Sequence, residues 1–330
     1  MELTPRENFM LIYEGKQPER YEDIRESMAL IHNDPISRSD AIKQDGLEHK
    51  DSWGTTMMWL PGAPGKHPHV TAENAVIKDI IKWKEQLVVP SLKGLDWTDA
   101  EESAAQIDRN EKFVYYFSST GMFERVHFLM GMEDAFCAYL EEPEAMMELL
   151  RAIADFKIAA IKEAGLHIKP DVVFYQDDWG SKLNLFLPPN VWREMIKPFE
   201  FEIAAAVHEI GAMYFHHADC FCEPIVEDMV EVGIDLWQGV IPQNDILSIQ
   251  QRVGNKLAMA GGIDAAAIDG ESVTDEAIRA EVRRCIDTYC PGGRFYPQAT
   301  PFPFNDRCRE VMLNELASYG RQFAIEHPIA

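Results

Sequence analysis

A chain of 330 residues, 46% of them hydrophobic, is long enough for two average domains or one large α/β barrel. Its 31 basic and 55 acidic residues give a net charge of −24, which excludes nucleic acid and anionic membranes as favoured partners. With no long apolar stretch and no signal-peptide pattern, the sequence predicts a cytoplasmic protein, and its six cysteines are interpreted as thiols or metal ligands.

Short apolar segments alternate with longer amphipathic ones after residue 50. The first 50 residues are mostly helical in pattern and are interpreted as a helical extension. Aromatic and β-branched content predicts strands at 55–60, 112–119, 171–176, 212–217, 234–240, 256–262 and 293–297. Periodicity predicts helices over 142–165, 188–211, 222–233 and 274–289, with a kink at Pro198 in the second.

This alternation predicts a parallel sheet covered by helices. With an eighth strand expected in the N-terminal third, a single (β/α)₈ TIM barrel over residues 1–330, with residues 1–50 as its helical extension, fits best. A doubly wound sheet is the alternative. The chain contains no G-x-G-x-x-G after a strand and no G-x-x-x-x-G-K-[ST], which disfavours nucleotide binding.

Two adjacent carboxylates, Asp177 and Asp178, follow a predicted strand in the segment YQDDWG. Catalytic groups of a barrel lie at the carboxyl ends of its strands, so either residue is a candidate acid or metal ligand. Alternate residues of a strand face opposite sides, so one carboxylate is expected to face inward and the other to cap the following helix. Asp177 is the favoured inward residue, because it shares a face with Tyr175.

The segment YFHHADCFC carries further candidate ligands. His217 and Asp219 are two residues apart at a strand end, so they share a face and are predicted to bind one metal ion. His216 points the other way and is expected to pack against a helix. Cys220 and Cys222 are weaker candidates, since free cysteine is often a small buried hydrophobe. Candidate binding residues at the same rim are Phe123, Glu124, Tyr175, Trp179, Trp237 and Gln298.

Several motifs resemble those of the uroporphyrinogen decarboxylase-like superfamily, which includes the heme-pathway decarboxylase and corrinoid-dependent methyltransferases. They are LTPRENFMLIYEGKQPER, GMFERVHFLMG, DVVFYQDDWG with LFLPPNVWREMIKPF, HHADC with VEVGIDLWQ, and LAMAGGID. The resemblance covers nearly the whole chain and implies a (β/α)₈ barrel. It is less specific for the reaction.

Particular residues separate the branches of this superfamily. The decarboxylase binds its polyanionic porphyrinogen with an arginine-rich loop, whereas the corresponding region, 51–70, contains no arginine. The methylcobamide:thiol methyltransferases hold zinc with His-x-Cys and a distant cysteine. Here His217 matches the histidine, but Asp219 stands at the second position and 296–302 contains no cysteine.

The resemblance therefore favours methyltransferases that take a methyl group from a small donor and pass it to the Co(I) corrinoid of a partner protein. Aromatic rim residues suit a methoxylated aromatic donor, hence O-demethylation. Asp177 or Asp178 as an acid, or zinc on His217 and Asp219, would assist the leaving oxygen. The chain has no Asp-x-His-x-x-Gly cobalamin motif, so a corrinoid protein is the expected partner. A thiol methyltransferase, a decarboxylase and a non-catalytic binding barrel are the alternatives.

Overall fold

Seven parallel strands form the main sheet of the computed structural model, which describes residues 2–63 and 65–328. Met1, Pro64 and residues 329–330, which the predicted domain includes, lie outside the described residues. Ten strands occur in the described residues, and all except β2, β3 and β4 belong to this main sheet. They are β1 (Met28–Ile31), β2 (Glu48–Lys50), β3 (Thr56–Met58), β4 (His67–Pro68), β5 (Phe113–Ser118), β6 (Val172–Gln176), β7 (Met213–His217), β8 (Leu236–Val240), β9 (Ala258–Ile263) and β10 (Phe295–Ala299).

Helices alternate with these strands as the sequence pattern predicts. They are α1 (Pro5–Tyr13), α2 (Pro35–Ser39), α3 (Trp83–Gln86), α4 (Thr98–Ala105), α5 (Met122–Met130), α6 (Met132–Glu141), α7 (Pro143–His167), α8 (Pro189–Met195), α9 (Lys197–Glu209), α10 (Val226–Val232), α11 (Ile246–Val253), α12 (Ala265–Ile268), α13 (Asp275–Tyr289) and α14 (Asp306–Glu326). The kink predicted near Pro198 is the break between α8 and α9. None of the described helices combines the length and apolar character that a membrane span requires.

The main sheet runs β1-β5-β6-β7-β8-β9-β10, with every neighbouring pair parallel. It is curled, because residues of both edge strands, Leu30 of β1 and Gln298 of β10, line the same cavity. The predicted parallel α/β sheet is confirmed, but seven strands rather than eight occupy it within the described residues. No backbone ladder joins β1 to β10 there; instead, the Gln298 amide donates a hydrogen bond of 2.9 Å to Asp23, just before β1.

Two N-terminal predictions are wrong. Residues 1–50 are not only a helical extension, since Met28–Ile31 forms an edge strand paired with β5. Its sequence, MALI, consists mostly of good helix formers, so local propensity hides a strand that is held by its neighbour. The predicted strand 55–60 does form, as β3, but in a separate antiparallel sheet of β2, β3 and β4.

Helix α1 fills the amino end of the curled sheet. Its N-terminus is fixed by a capping box between Thr4 and Glu7. Phe9 is 1% exposed and its ring packs against Phe113, Phe215 and Tyr296, from three different strands. This apolar plug leaves the carboxyl ends of the strands as the open side of the sheet, where polar groups collect.

Candidate active site

An aromatic cavity of about 380 Å³ lies inside the curl of the sheet. Its apolar walls are formed by Met28, Leu30, Tyr115, Phe174, Phe215 and Phe302. Polar groups occupy one part of the lining, namely Arg25, Gln238, Gln298 and Thr300. A mostly apolar cavity with a few convergent polar groups is the usual form of a small-molecule site.

Asp178, His217 and Asp219 form a cluster beside this cavity. One potential ligand atom from each lies within 4.8 Å of the others, and all three side chains are partly buried. The Phe174 ring, which lines the cavity, lies 5.6 Å from the His217 ring, and the Asp219 backbone N–H donates to Asp178 at 2.9 Å. Burial, with Asp178 adding repulsion, raises the pKa of Asp219 to about 6. One imidazole and two carboxylates are a donor set that suits zinc or a similar divalent ion.

A chain of hydrogen bonds determines which nitrogen of His217 is free. Asp23, ion-paired with Arg25, offers only acceptors, so the Gln298 amide donates to it and turns its own oxygen toward Gln238. The Gln238 amide donates to that oxygen, and its carbonyl oxygen therefore accepts from Nδ1–H of His217. Nε2 of His217 then carries the free lone pair that a metal ion requires.

Glu124 adds a carboxyl group next to this cluster. It lies in the first turn of α5, and its Oε2 is buried with no hydrogen-bond partner among the described residues. Burial, followed by repulsion from Asp178 and Asp177, raises its pKa well above the ordinary value. A carboxyl group with a raised pKa, and with one oxygen that has no partner among the described residues, is suited to donate a proton.

The expectation that Asp177 faces inward is wrong. Tyr175 and Asp177 do share a face, but it is the face toward the helices, and Asp178 takes the inward position. Asp177 is fully buried and accepts the backbone N–H groups of Phe123 and Glu124 at 3.0 and 2.9 Å, so it caps α5 rather than the following helix. Burial raises its pKa to about 7, although these hydrogen bonds oppose the shift.

The aromatic residues predicted to bind substrate are buried in the protein core, outside the cavity. Phe123, Tyr175, Trp179 and Trp237 are at most 1% exposed and do not line the aromatic cavity. Strand register explains the error, because Tyr175 and Trp237 both pair with His216 and face the helices with it. Gln298 does line the cavity.

His216 packs on the helix side of the sheet, as expected. Its ring stacks on Trp179 with centroids 4.0 Å apart, and its Nε2 lies 3.1 Å from the Asp177 carbonyl oxygen. Burial lowers its pKa to about 3, so the ring is neutral. Tyr214 links it to Glu200, since its hydroxyl lies 3.3 Å from His216 Nδ1 and 2.8 Å from Glu200 Oε2.

We expect Glu200→Gln to remove a pH dependence of folding. Burial raises the pKa of Glu200 well above its ordinary value, whereas a glutamate side chain in the unfolded chain has a pKa of about 4.3. The Glu200 contribution to stability is therefore fully present below about pH 4 and is lost as the pH rises toward the folded pKa. Urea unfolding at pH 5 and pH 8 measures the effect: the free energy of unfolding of the variant, relative to that of the wild type, should be higher at pH 8 than at pH 5. A stability difference that is equal at both values would contradict this.

Cys220 and Cys222 are not part of the Asp178–His217–Asp219 cluster. Cys220 and Cys222 are buried with their sulfur atoms 3.3 Å apart, and both remain free thiols. The hydrogen bond between them, together with burial, raises the pKa of Cys220, which disfavours the thiolate that a metal would bind. Asn244 holds their loop by accepting from the Cys222 N–H and donating to the Cys220 carbonyl oxygen.

Sequence reasoning did not find several residues of this site. Gln238 and the pair Asp23–Arg25 were not among the candidates, and neither were the wall residues Tyr115 and Phe174. A usable signal existed for Gln238: a polar residue inside the otherwise apolar strand DLWQGV. Asp23 carried no such signal, because it comes from a segment with no strand pattern.

A curled parallel sheet of seven strands, with ionisable groups at the carboxyl ends of its strands, defines an α/β protein within the described residues. Residues 118–297, more than half of the chain, match the family model described as Uroporphyrinogen decarboxylase (URO-D). The chain belongs to the uroporphyrinogen decarboxylase family.

Two known proteins show how far the similarity extends. The chain is 30% identical over 165 residues to the uroporphyrinogen decarboxylase of Methylococcus capsulatus, which covers 47% of this chain. That alignment spans 43% of the relative, so the chain matches less than half the length of this curated protein. The fold is similar to that of a methyltransferase from Methanosarcina mazei, with a TM-score of 0.65 over 96% of this chain and 99% of the other, at 12% identity. At that identity the similarity concerns the fold.

Proposed function

We propose that the chain is a methyltransferase that moves a methyl group from a small methylated donor to the corrinoid of a partner protein. The observation that carries the proposal is the Asp178–His217–Asp219 cluster beside an aromatic cavity, with the Glu124 carboxyl, whose pKa burial raises, next to the cluster. The fold shared with a methyltransferase from Methanosarcina mazei agrees with this reaction class. We also propose that the fold is a TIM barrel of the (β/α)₈ type.

Asp178, His217 and Asp219 would hold a divalent ion, with zinc as the proposed one. The free Nε2 of His217 and the two adjacent carboxylates fit such an ion in both number and type of donor. When bound, the metal acts as a Lewis acid toward an oxygen of the donor. The chain of Gln238, Gln298 and Asp23 keeps the imidazole oriented for this role.

A methoxylated aromatic compound is the proposed donor. Phe174, Phe215 and Tyr115 offer ring faces for an aryl group, and the cavity volume of about 380 Å³ suits a single-ring compound. In the reaction the methyl–oxygen bond breaks, the methyl group goes to Co(I) of the partner's corrinoid, and the oxygen leaves with the electron pair. Glu124 donates the proton that makes this oxygen a better leaving group.

Two other reactions of the superfamily receive less support. Thiol methylation would need thiolate ligands, whereas Cys220 and Cys222 are buried thiols outside the cluster. Decarboxylation of a porphyrinogen would need cations for many carboxylates. Arg25 is the cation among the residues lining the cavity, and it is already paired with Asp23.

A methyl-transfer assay tests the proposal. Purified protein is loaded with zinc and mixed with methoxylated phenols and either Co(I) cobalamin or a purified Co(I) corrinoid protein, and the methylated corrinoid is followed by absorbance. We expect methylcobalamin and the free phenol in equal amounts, and a loss of rate in Glu124→Gln. Carbon dioxide release from uroporphyrinogen, with no methyl transfer from any ether, would overturn the proposal in favour of the decarboxylase.

A further inference from the structure

A second cavity lies on the helix side of the sheet. Its volume is about 130 Å³, and none of its lining residues also lines the aromatic cavity. Polar groups dominate one part of its wall, namely Ser37, Asp40, Lys66, Ser118, Ser119 and Lys157. The proposed methyl transfer uses none of them.

Lys157 of α7 is the unusual residue of this cavity. It is 4% exposed, yet its ammonium makes a single hydrogen bond among the described residues, to the Ser119 carbonyl oxygen at 2.9 Å. An ammonium group has three N–H donors, and a buried one without a carboxylate partner is costly. Burial, with Arg125 adding repulsion, lowers the pKa of Lys157 to about 7. An anion in the cavity would supply the missing partner.

The neighbouring charges leave room for an anion. Lys66 donates to the Asp40 carbonyl oxygen from the cavity wall, and burial lowers its pKa. Arg125 is buried and pairs with Asp51 and, at 3.7 Å, with Asp40. Arg125 is thus the ion-pair partner of both carboxylates, and Lys66 contacts only the Asp40 backbone.

The Lys157 ammonium has no ion-pair partner among the described residues. It donates to the Ser119 carbonyl oxygen, so two of its three N–H donors remain for a ligand in the cavity.

We propose that this cavity binds a small oxyanion such as inorganic phosphate, sulfate or bicarbonate. Its oxygens would accept from the ammonium groups of Lys157 and Lys66 and from the hydroxyls of Ser37 and Ser118. The volume equals that of roughly four liquid waters, which admits a tetrahedral or planar oxyanion and excludes a nucleotide. The bound anion would join α7 to the segments that carry Ser37 and Lys66, and would thereby stabilise the fold.

Titration calorimetry of the full chain with sodium phosphate, against sodium chloride of equal ionic strength, tests this inference. We expect saturable binding of phosphate to the wild type, with a matching rise in the melting temperature. Lys157→Met should weaken binding by roughly 10- to 100-fold, since one charge-assisted hydrogen bond is lost. Lys162→Met is the matched control: Lys162 lies on the same helix, exposed and paired with Glu209, so this variant should bind phosphate as the wild type does.

Ser37→Ala provides a variant that keeps both lysines, in case Lys157→Met does not fold. It should weaken phosphate binding several-fold while leaving the chloride response unchanged. No saturable binding of phosphate, sulfate or bicarbonate to the wild type would overturn the inference. Equal phosphate affinity in Lys157→Met and the wild type would do the same. Methyl transfer is a separate readout, so this result is independent of the proposed function.

Discussion

Replacing His217 by alanine is expected to weaken zinc binding by more than about 100-fold and to abolish methyl transfer. His217 supplies the imidazole ligand of the Asp178–His217–Asp219 cluster, and two carboxylates alone form a weak zinc site. Its side chain is only partly buried, so the fold should tolerate the change. Metal content after dialysis and competition with a chromogenic chelator measure the effect.

Gln238→Leu should have a graded effect on the same site. It removes the acceptor for Nδ1–H of His217 and leaves the ring free to adopt the other tautomer. Loss of such an orienting partner typically costs 10- to 100-fold in metal affinity. The double change Cys220→Ala/Cys222→Ala is the control and should retain zinc. Zinc lost with the cysteines and kept in His217→Ala would contradict the assignment and revive thiolate ligation.

Replacing Asp177 by alanine should destabilise the fold by about 4 kcal/mol. The carboxyl accepts the N–H groups of Phe123 and Glu124 at the start of α5 and the indole N–H of Trp179. The hydrogen bonds from Phe123 and Trp179 are buried and the one from Glu124 is partly buried. Alanine leaves these three donors without their acceptor. The space is closely fitted, since a Cβ added to Gly121 would lie 2.1 Å from Asp177 Cβ. Urea or guanidinium unfolding followed by tryptophan fluorescence measures the loss.

The variant Asp178→Ala distinguishes the structural role of Asp177 from the metal binding proposed for Asp178. Asp178 accepts from the Asp219 N–H at the partly exposed rim, so its loss should cost no more than about 1 kcal/mol. The same variant should weaken zinc binding, whereas Asp177→Ala should affect zinc only through unfolding. Equal unfolding midpoints for Asp177→Ala and the wild type would show that the cap of α5 contributes nothing.

Local pattern was sufficient for much of the architecture. The six strands from 113 onward and four of the helical segments between them follow from alternating runs that are long enough to outweigh ambiguous propensities. The pairing of His217 with Asp219 on one face follows from their spacing, because side chains of a strand alternate with period two. Both deductions need information from neighbouring residues alone.

Which face is the inner one depends on contacts that are distant in the chain. Asp177 and Asp178 are chemically identical and adjacent; register with β7, which sets Gln176 beside His217, turns Asp178 inward and Asp177 toward α5. Strand β1 owes its conformation to the edge of β5 rather than to its own residues. The orientation of His217 depends on Asp23, almost two hundred residues away.

The sequence by itself determined the family motifs, the parallel α/β pattern and the residue types able to bind a metal, because these are properties of composition and short spacing. Only the tertiary structure decided which carboxylate faces the cavity, that the Glu124 Oε2 is buried with no hydrogen-bond partner among the described residues, and that Lys157 is buried beside a second cavity. Those outcomes depend on the packing of segments far apart in the chain, where burial and hydrogen bonding assign each polar group its surroundings.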